Sequence, residues 1–464
     1  MKRVLLIATV VLGFACMGEC VPPESQGVSS AAIEQWITAC ERNLDAVHGF
    51  VIRRHGKVIA EGTWAPFDTL NETHMLYSHS KSFTSTAIGF LVDDGLLDID
   101  ERVVDIFPER VPANPSEHLR ELRVRDLLTM NVGADYTDAE RKDITGDWVK
   151  AFLGNPIDRL PGTGFKYDSG ATFMLSAIVR KRTGRDLMEF LDGRLFRPLG
   201  FGTVWSGTAP DGTACGGWGM NMTTRDLAKF GELYLREGMW EGRRIISRDW
   251  VRLASALQTR TDRPGTGDWS QGYGFQFWRC RHGAYRADGA SGQLTVIFPE
   301  QDAVVSIHAG LGDMQKELDV IWDYLLPAFG PRTLPVDSAA VSKLRARCAS
   351  LRLAPLAGSA ASAKLPMTGA LDKPALGFCR PLLSKEGEGW VLEENGRRLA
   401  VGNGAWARTD WEFTKDLVEP LFVVTSTRKV AASGAWTAPG ELKVRWHVLG
   451  GIQKGVFTVR PVNP

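Results

Sequence analysis

Ser78 and Lys81 stand one helical turn apart in the stretch Tyr77-Ser-His-Ser-Lys-Ser-Phe83. A serine hydroxyl is a poor nucleophile until a base takes its proton, and a lysine shielded from water is neutral often enough to do so. From Ser78 onward, Phe83, Ala87, Phe90 and Leu91 fall on one side of a helical repeat, while Ser78, Lys81, Ser82 and Ser85 fall on the other. Ile88 and Val92 continue the polar side in apolar form, which predicts a helix starting at Ser78 whose later turns are buried all round. A serine at such a helix start lies beside free backbone N–H groups and the positive dipole end, where a developing oxyanion is stabilised. Ser-x-x-Lys alone specifies little, because Ser426-Thr-Arg-Lys429 also fits in a Val-rich, strand-like region. On this motif alone, a solvated helix face remains the competing reading.

A second cluster follows at Pro161-Gly-Thr-Gly-Phe-Lys-Tyr-Asp-Ser-Gly170, a Gly-rich turn leading into the helical pattern of 171–182. Tyr167 and Ser169 project from it, where side chains reach a pocket; a packed aromatic with a satisfied hydroxyl is the alternative for Tyr167. Gly216-Gly-Trp-Gly-Met-Asn-Met-Thr-Thr-Arg-Asp-Leu-Ala-Lys-Phe-Gly231 reads as a loop and a helix capped near Thr223 or Thr224.

The elements around these motifs are legible in outline. A helix is expected over 31–45, and a hairpin turning at His55-Gly56-Lys57. Tyr273 to Cys280 and Ala284 to Phe298 each read as a strand, Ala303 to His308 as the return after a turn at Pro299 to Asp302, and 316–329 as a closing amphipathic helix. Antiparallel partners across that turn have numbers summing to about 601, which sets His308 beside Gln293 at the pocket mouth, unless it is a strand-end histidine facing solvent. Residues 331–364 are rich in Pro, Ala and Ser and read as a linker with a short helix near 339–349; alternating runs in 365–464 indicate an all-β domain without a catalytic constellation.

The chain of 464 residues, 44% hydrophobic, can bury more than one core. Lys plus Arg is 55 and Asp plus Glu 54, so a net charge of +1 gives no electrostatic case for nucleic acid and suits a small, neutral or mixed-charge substrate. Residues 1–20, with Lys2, Arg3 and the apolar run Val4 to Phe14, read as a secretory signal too short to span a membrane. Ala15-Cys16 leaves two readings open, simple cleavage or a lipid anchor at Cys16, with Gly13 standing where lipoprotein signals usually carry Leu. The protein is therefore expected outside the cytoplasm, periplasmic or lipid-anchored. Cys215 with Cys280 and Cys348 with Cys379 are candidate bridges, with buried free thiols as the alternative. No CxxC pair or metal-ligand spacing is present, and neither metal nor cofactor is expected.

Taken together, Tyr77 to Phe83, Phe165-Lys-Tyr-Asp-Ser-Gly170, Cys215 to Gly231 and Gly289-Ala-Ser-Gly-Gln293 resemble, in order and spacing, the serine β-lactamase and penicillin-binding protein superfamily. Within it the chain looks most like the class C-type esterases and the 6-aminohexanoate-dimer hydrolases. The resemblance covers about residues 45–330. It implies an α/β (α+β) β-lactamase/transpeptidase-like domain over 27–330, an antiparallel sheet with packed helices and a helical subdomain.

By the same resemblance Ser78 is the acylated nucleophile, Lys81 its base, and Tyr167 the hydroxyl that shuttles a proton to the leaving group. Ser169 stands where the superfamily often has Asn. The backbone N–H groups of Ser78 and Gln293 would form the oxyanion hole. The chain departs from the pattern at the third motif, where lactam-processing members carry Lys-Thr-Gly or His-x-Gly; here the slot is read as Ala290-Ser291-Gly292. The leading expectation is an extracytoplasmic serine hydrolase of small esters or amides; a β-lactamase or D,D-peptidase and a catalytically poor binder of cell-wall peptide are the alternatives.

Overall fold

The computed structural model describes residues 20–135, 146–358, 364–412 and 427–462. The segment read as a signal, with Cys16, lies outside them, as does Ser426. Helix α1 (Ser30–Asn43) is capped by the Ser29 hydroxyl and leads into a hairpin of β1 (Val47–Arg54) and β2 (Lys57–Thr63). His55 and Gly56 both have positive φ (48° and 78°) at that tight turn, the conformation of a twisted two-residue hairpin. The two-residue strand β3 (His74–Met75) then leads to the Ser78 turn and α2 (Ser80–Asp93).

Two further helices flank α2: α3 (Ser169–Thr183), and α4 (Thr224–Leu235), whose cap is the expected Thr223. Between these two lies β4 (Asn221–Met222), which pairs with β3. After α5 (Arg248–Ser255) the chain returns to the sheet as β5 (Trp278–Arg279), β6 (Tyr285–Gly289), β7 (Gln293–Phe298) and β8 (Ala303–Ala309). Among the described residues these make a six-stranded antiparallel sheet in the order β2-β1-β8-β7-β6-β5. The β7–β8 register, Phe298 with Ala303 through Leu294 with Ile307, has the expected sum.

Alternation along the strands splits the core in two. Tyr285, Ala287, Ile297 and Val304 face α2 and α4, in one cluster with Phe83 and Phe230. Leu294, Val296, Phe298, Val305 and Ile307 face the other way, against Trp36 and Ile37 of α1 and Leu318 of α6 (Met314–Val320). Helix α2 thus lies inside the molecule, with Phe83, Ala87, Ile88, Phe90 and Leu91 inaccessible. Its hydroxyls are satisfied within that interior: Ser82 donates to Gln276 O and Ser85 to Phe275 O, each at 2.7 Å.

The segment read as a linker is more than that. Its helix α7 (Ser338–Ala349) buries Leu344 and Cys348 in the α1 cluster, joined by Leu351, so the chain stays on the first domain beyond residue 330. Both candidate disulfides are overturned, since Cys215, Cys280, Cys348 and Cys379 are free. Cys348 packs on the first domain, whereas Cys379 is exposed in the second. Burial pushes Cys215 up to about 12 and Cys280 up to about 11, leaving both as unreactive thiols.

The second domain is all-β, as its alternating runs suggest. Strands β9 (Met367–Leu371), β10 (Leu382–Glu386), β11 (Gly389–Glu394), β12 (Arg397–Asn403), β13 (Ala407–Glu412), β14 (Thr427–Ala438), β15 (Glu441–Val448) and β16 (Lys454–Pro461) follow one another. Seven of them close in the order β12-β11-β10-β9-β16-β15-β14, with a short parallel contact of β12 and β14 sealing the ring and β13 added outside β14. Closure leaves Trp390, Trp436, Phe457 and Val459 in an interior core.

The closeness of α2 to α5 sets a packing test. A Cβ on Gly89 would lie 2.5 Å from the Trp250 indole. Gly89→Ala should therefore destabilise the protein by about 1–3 kcal/mol despite the better helix propensity of alanine, read as a lower urea midpoint; an unchanged or higher midpoint would contradict this packing.

Candidate active site

Ser78 sits one step earlier than expected, not in α2 but in the 3-10 turn Tyr77–His79 that precedes it. Tyr77 has φ 50°, left-handed for a bulky residue, which costs roughly 1–2 kcal/mol and has to be upheld by its surroundings. The turn breaks the direction of the chain and leaves Ser78 half-exposed between buried neighbours.

Lys81, on the first turn of α2, is 1% exposed. Its Nζ donates to Ser78 Oγ at 3.1 Å, Ser169 Oγ at 3.1 Å and Gly217 O at 2.7 Å. The Ser78 contact follows the one-turn spacing of the two residues in sequence, whereas the Gly217 carbonyl is a partner that sequence reasoning missed. Two local features create it. Asp168 caps α3 by accepting from Gly170 N at 2.8 Å, which sets Ser169 on the first turn facing Lys81. Gly217 has to lack a side chain, because a Cβ there would lie 2.8 Å from Ser169 O. The Tyr167 ring flanks the amine, its centroid 4.9 Å from Nζ, and is stacked on Trp278 at 5.8 Å and 18°.

The run expected to be one strand carries a turn. Ala284 to Phe298 is two strands, with Ala290-Ser291-Gly292 forming the turn between them and φ positive at Ser291 (64°) and Gly292 (94°). Strand β5 pairs only with Tyr285 and Arg286, so the edge of β6 beyond them, Ala287 to Gly289, faces the Ser78 turn. A Cβ on Gly289 would sit 1.9 Å from Leu76 O and 3.0 Å from His79 N. The glycine that approaches the Ser78 turn is therefore Gly289, and the next N–H along the chain is that of Ala290.

Gly292 instead backs onto the buried Glu317 carboxyl group. Gln293 lies one strand further in, opposite Gly289. Two residues back from Gly289 stands Ala287, again an alanine, and one buried in the core.

His308 does meet Gln293, donating from Nδ1 to Oε1 at 2.9 Å, but it is neither at a pocket mouth nor in solvent. It is fully buried and stacked on His74 at 4.6 Å. The substrate-binding role expected for it is overturned, because β7 and β8 are covered at this point. It belongs to a buried set of histidines in and around the Ser78 turn. His79 Nδ1 donates to Gln293 O (3.2 Å), His74 Nδ1 to Met75 O (3.0 Å), and His48 Nδ1 to the remaining His74 nitrogen (3.0 Å). Burial lowers His74 to about 4 and His79 to about 3, and holds His48 and His308 well below the usual value, so all four are neutral near pH 7.

The Beta-lactamase family model matches residues 37–324. The 6-aminohexanoate-dimer hydrolase of Paenarthrobacter ureafaciens is 28% identical over 329 residues, spanning 63% of this chain and 83% of its own. A lovastatin esterase of Penicillium rubens is 28% identical over a shorter stretch, 28% of this chain and 39% of its own. The octameric penicillin-binding protein homologue from Pyrococcus abyssi shares the fold across both domains, covering 93% of this chain and 99% of its own at TM-score 0.52 and 15% identity.

Two measurements test this geometry. Gly289→Ala should abolish hydrolysis while the rest of the sheet is kept, since its Cβ would overlap the Leu76 carbonyl; wild-type turnover would mean that β6 does not border the site. The histidines charge below about pH 6.5 when unfolded and stay neutral when folded, so their stabilising effect is complete above that pH and is lost as pH falls towards 4. At pH 5 His74 and His79 should each cost about 2 kcal/mol, seen as a falling urea midpoint between pH 6.5 and 4.5; a flat profile would show that they are not buried neutral.

Proposed function

The chain belongs to the beta-lactamase family, and from that premise we propose that it is an extracytoplasmic serine hydrolase that cleaves a small ester or amide through an acyl-enzyme on Ser78. The observation that carries the reading is the buried Lys81 amine, 3.1 Å from Ser78 Oγ and equally close to Ser169 Oγ. With the amine deprotonated the first contact reverses, the hydroxyl donating to nitrogen, and the same geometry removes the proton as Oγ attacks the carbonyl carbon. The oxyanion is received by the backbone N–H groups of Ser78 and Ala290, the latter in place of Gln293 because Gly289 brings the β6 edge to the turn. Tyr167, held against Trp278 beside Lys81, relays the proton from Lys81 to the leaving group, and when water frees the acyl group it takes the water's proton while its own returns through Lys81 to Ser78 Oγ. The residues at the N-terminus support export, with the lipid anchor at Cys16 as one form of it.

The substrate class rests on what the β6 edge lacks. Lactams and D-Ala-ended peptides carry a carboxylate beside the scissile bond, which a Lys or His at the edge would hold by a charge-assisted hydrogen bond. Alanine stands at both 287 and 290. Loss of one such contact is worth about 1.5–3 kcal/mol, or roughly ten- to a hundredfold in efficiency. An ester or amide without that carboxylate loses nothing. The named activities of the two relatives, on an amide-linked dimer and on an ester, agree with this class.

Intact-mass analysis with a serine-reactive phosphonate should show one adduct on the wild type and none on Ser78→Ala; full labelling of the variant would place the nucleophile elsewhere. Short acyl esters or uncharged amides should be turned over more efficiently than a chromogenic cephalosporin. Equal or better cephalosporin hydrolysis would favour the lactamase reading instead.

A further inference from the structure

The strand that delivers the nucleophile has one flank supplied by the other domain. Successive N–H groups of an extended strand point to opposite sides. On one side of the segment leading to Ser78, Leu76 N donates to Met220 O at 2.8 Å, continuing the pairing of β3 with β4. On the other side, Met75 N donates to Gly450 O at 3.0 Å, in the β15–β16 turn of the barrel. That turn lies flat against the segment, since a Cβ on Gly450 would be 2.8 Å from Thr73 O.

Arg428, on β14, fixes the turn in place. Its guanidinium donates to the same Gly450 carbonyl and, at 3.3 Å, to Asn221 Oδ1 on β4, and lies over the Trp205 ring at 5.5 Å. One barrel side chain thereby ties together the turn on one flank of β3 and the strand on the other. Gln453, from the same turn, donates from Nε2 to the Tyr77 hydroxyl at 3.3 Å, on the residue whose left-handed φ sets the direction of Ser78.

We propose that the C-terminal barrel is a working part of the active site, in which Arg428, through Gly450, and Gln453, through Tyr77, are positioning residues that hold the nucleophile turn in its reactive conformation. This rests on the reading of Ser78 as nucleophile. Neither residue has to touch substrate. Their effect falls on how often Ser78 Oγ is presented to Lys81 and to the β6 edge, and so on the chemical step more than on binding. One other bond between the domains is different in kind: the Lys429 side chain, next to Arg428 on β14, reaches Glu72 at the surface at 3.1 Å rather than the Gly450 turn or Tyr77.

The test compares Arg428→Ala, Arg428→Lys, Gln453→Ala and Lys429→Ala in the full chain, using phosphonate labelling with peptide mapping, ester kcat and KM, and melting temperature. Arg428→Ala should slow labelling of Ser78 and lower kcat about tenfold, with KM changed less than about twofold. Arg428→Lys, able to hold one acceptor but not both, should fall between, and Lys429→Ala should match wild type. Gln453 is exposed, so Gln453→Ala folds even if Arg428→Ala does not, and should show the same kcat-weighted loss at about threefold. Wild-type labelling rates in Arg428→Ala, or in Gln453→Ala where only that variant folds, would overturn the proposal. So would an equal loss in Lys429→Ala, which would make the effect one of domain docking in general. The mapped residue separates this from the underlying reading: an adduct away from Ser78 in the wild type refutes the nucleophile, whereas adducts on Ser78 with unchanged rates refute the barrel's part alone.

Discussion

A lysine amine held away from water is the constraint on which the rest of this structure depends. Taking a cationic side chain out of solvent costs several kcal/mol unless hydrogen-bond acceptors replace the lost water. Lys81 is supplied with Ser78 Oγ, Ser169 Oγ and Gly217 O, drawn from three separate stretches of chain. Each arrives by a local device: the left-handed Tyr77 for Ser78, the Asp168 cap for Ser169, and a glycine without a Cβ for the 217 carbonyl. The interior position that makes the amine costly to bury also sets it 3.1 Å from the Ser78 hydroxyl, the contact on which the proposed acyl-enzyme chemistry rests.

The same economy of space runs through the surroundings. The β6 edge reaches the Ser78 turn only because residue 289 is glycine, and His79 of that turn and His74 before it are kept neutral by burial. From the opposite side the barrel contributes a carbonyl to Met75 and an arginine that bridges to β4. The family model ends at residue 324, yet the backbone preceding Ser78 is completed by residues after 425. The domain in which no catalytic constellation was legible is thus in contact with Met75 and Tyr77, just ahead of Ser78.

What the sequence disclosed follows from how local each signal is. Hairpin chemistry at His55-Gly56, the Thr223 cap and the β7–β8 register are all set by neighbours in sequence and were readable. Ser78, Lys81 and Ser169 were legible as a set through ordered motifs, and the structure brings them within hydrogen-bonding distance. Ala284 to Phe298 was read as one strand although Asp288-Gly289 and Ser291-Gly292 mark a turn in it; the observed turn over Ala290-Ser291-Gly292 sets Gly289, three residues before Gly292, against the Ser78 turn. His308 was correctly paired and wrongly exposed, since register can be counted along a chain whereas cover over a sheet comes from distant segments. Gly217 O and the Gly450 contact are backbone groups joined across long separations, for which side-chain types give no signal.

The central claim is that a Ser78 activated by Lys81 works against the edge of β6. A crystal structure of the phosphonate adduct tests it most directly. The expected result is phosphorus bonded to Ser78 Oγ, with one phosphonyl oxygen within about 3 Å of the backbone N–H groups of both Ser78 and Ala290. Phosphorus on another side chain, or the oxygen held by Gln293 with Ala290 turned away, would contradict it.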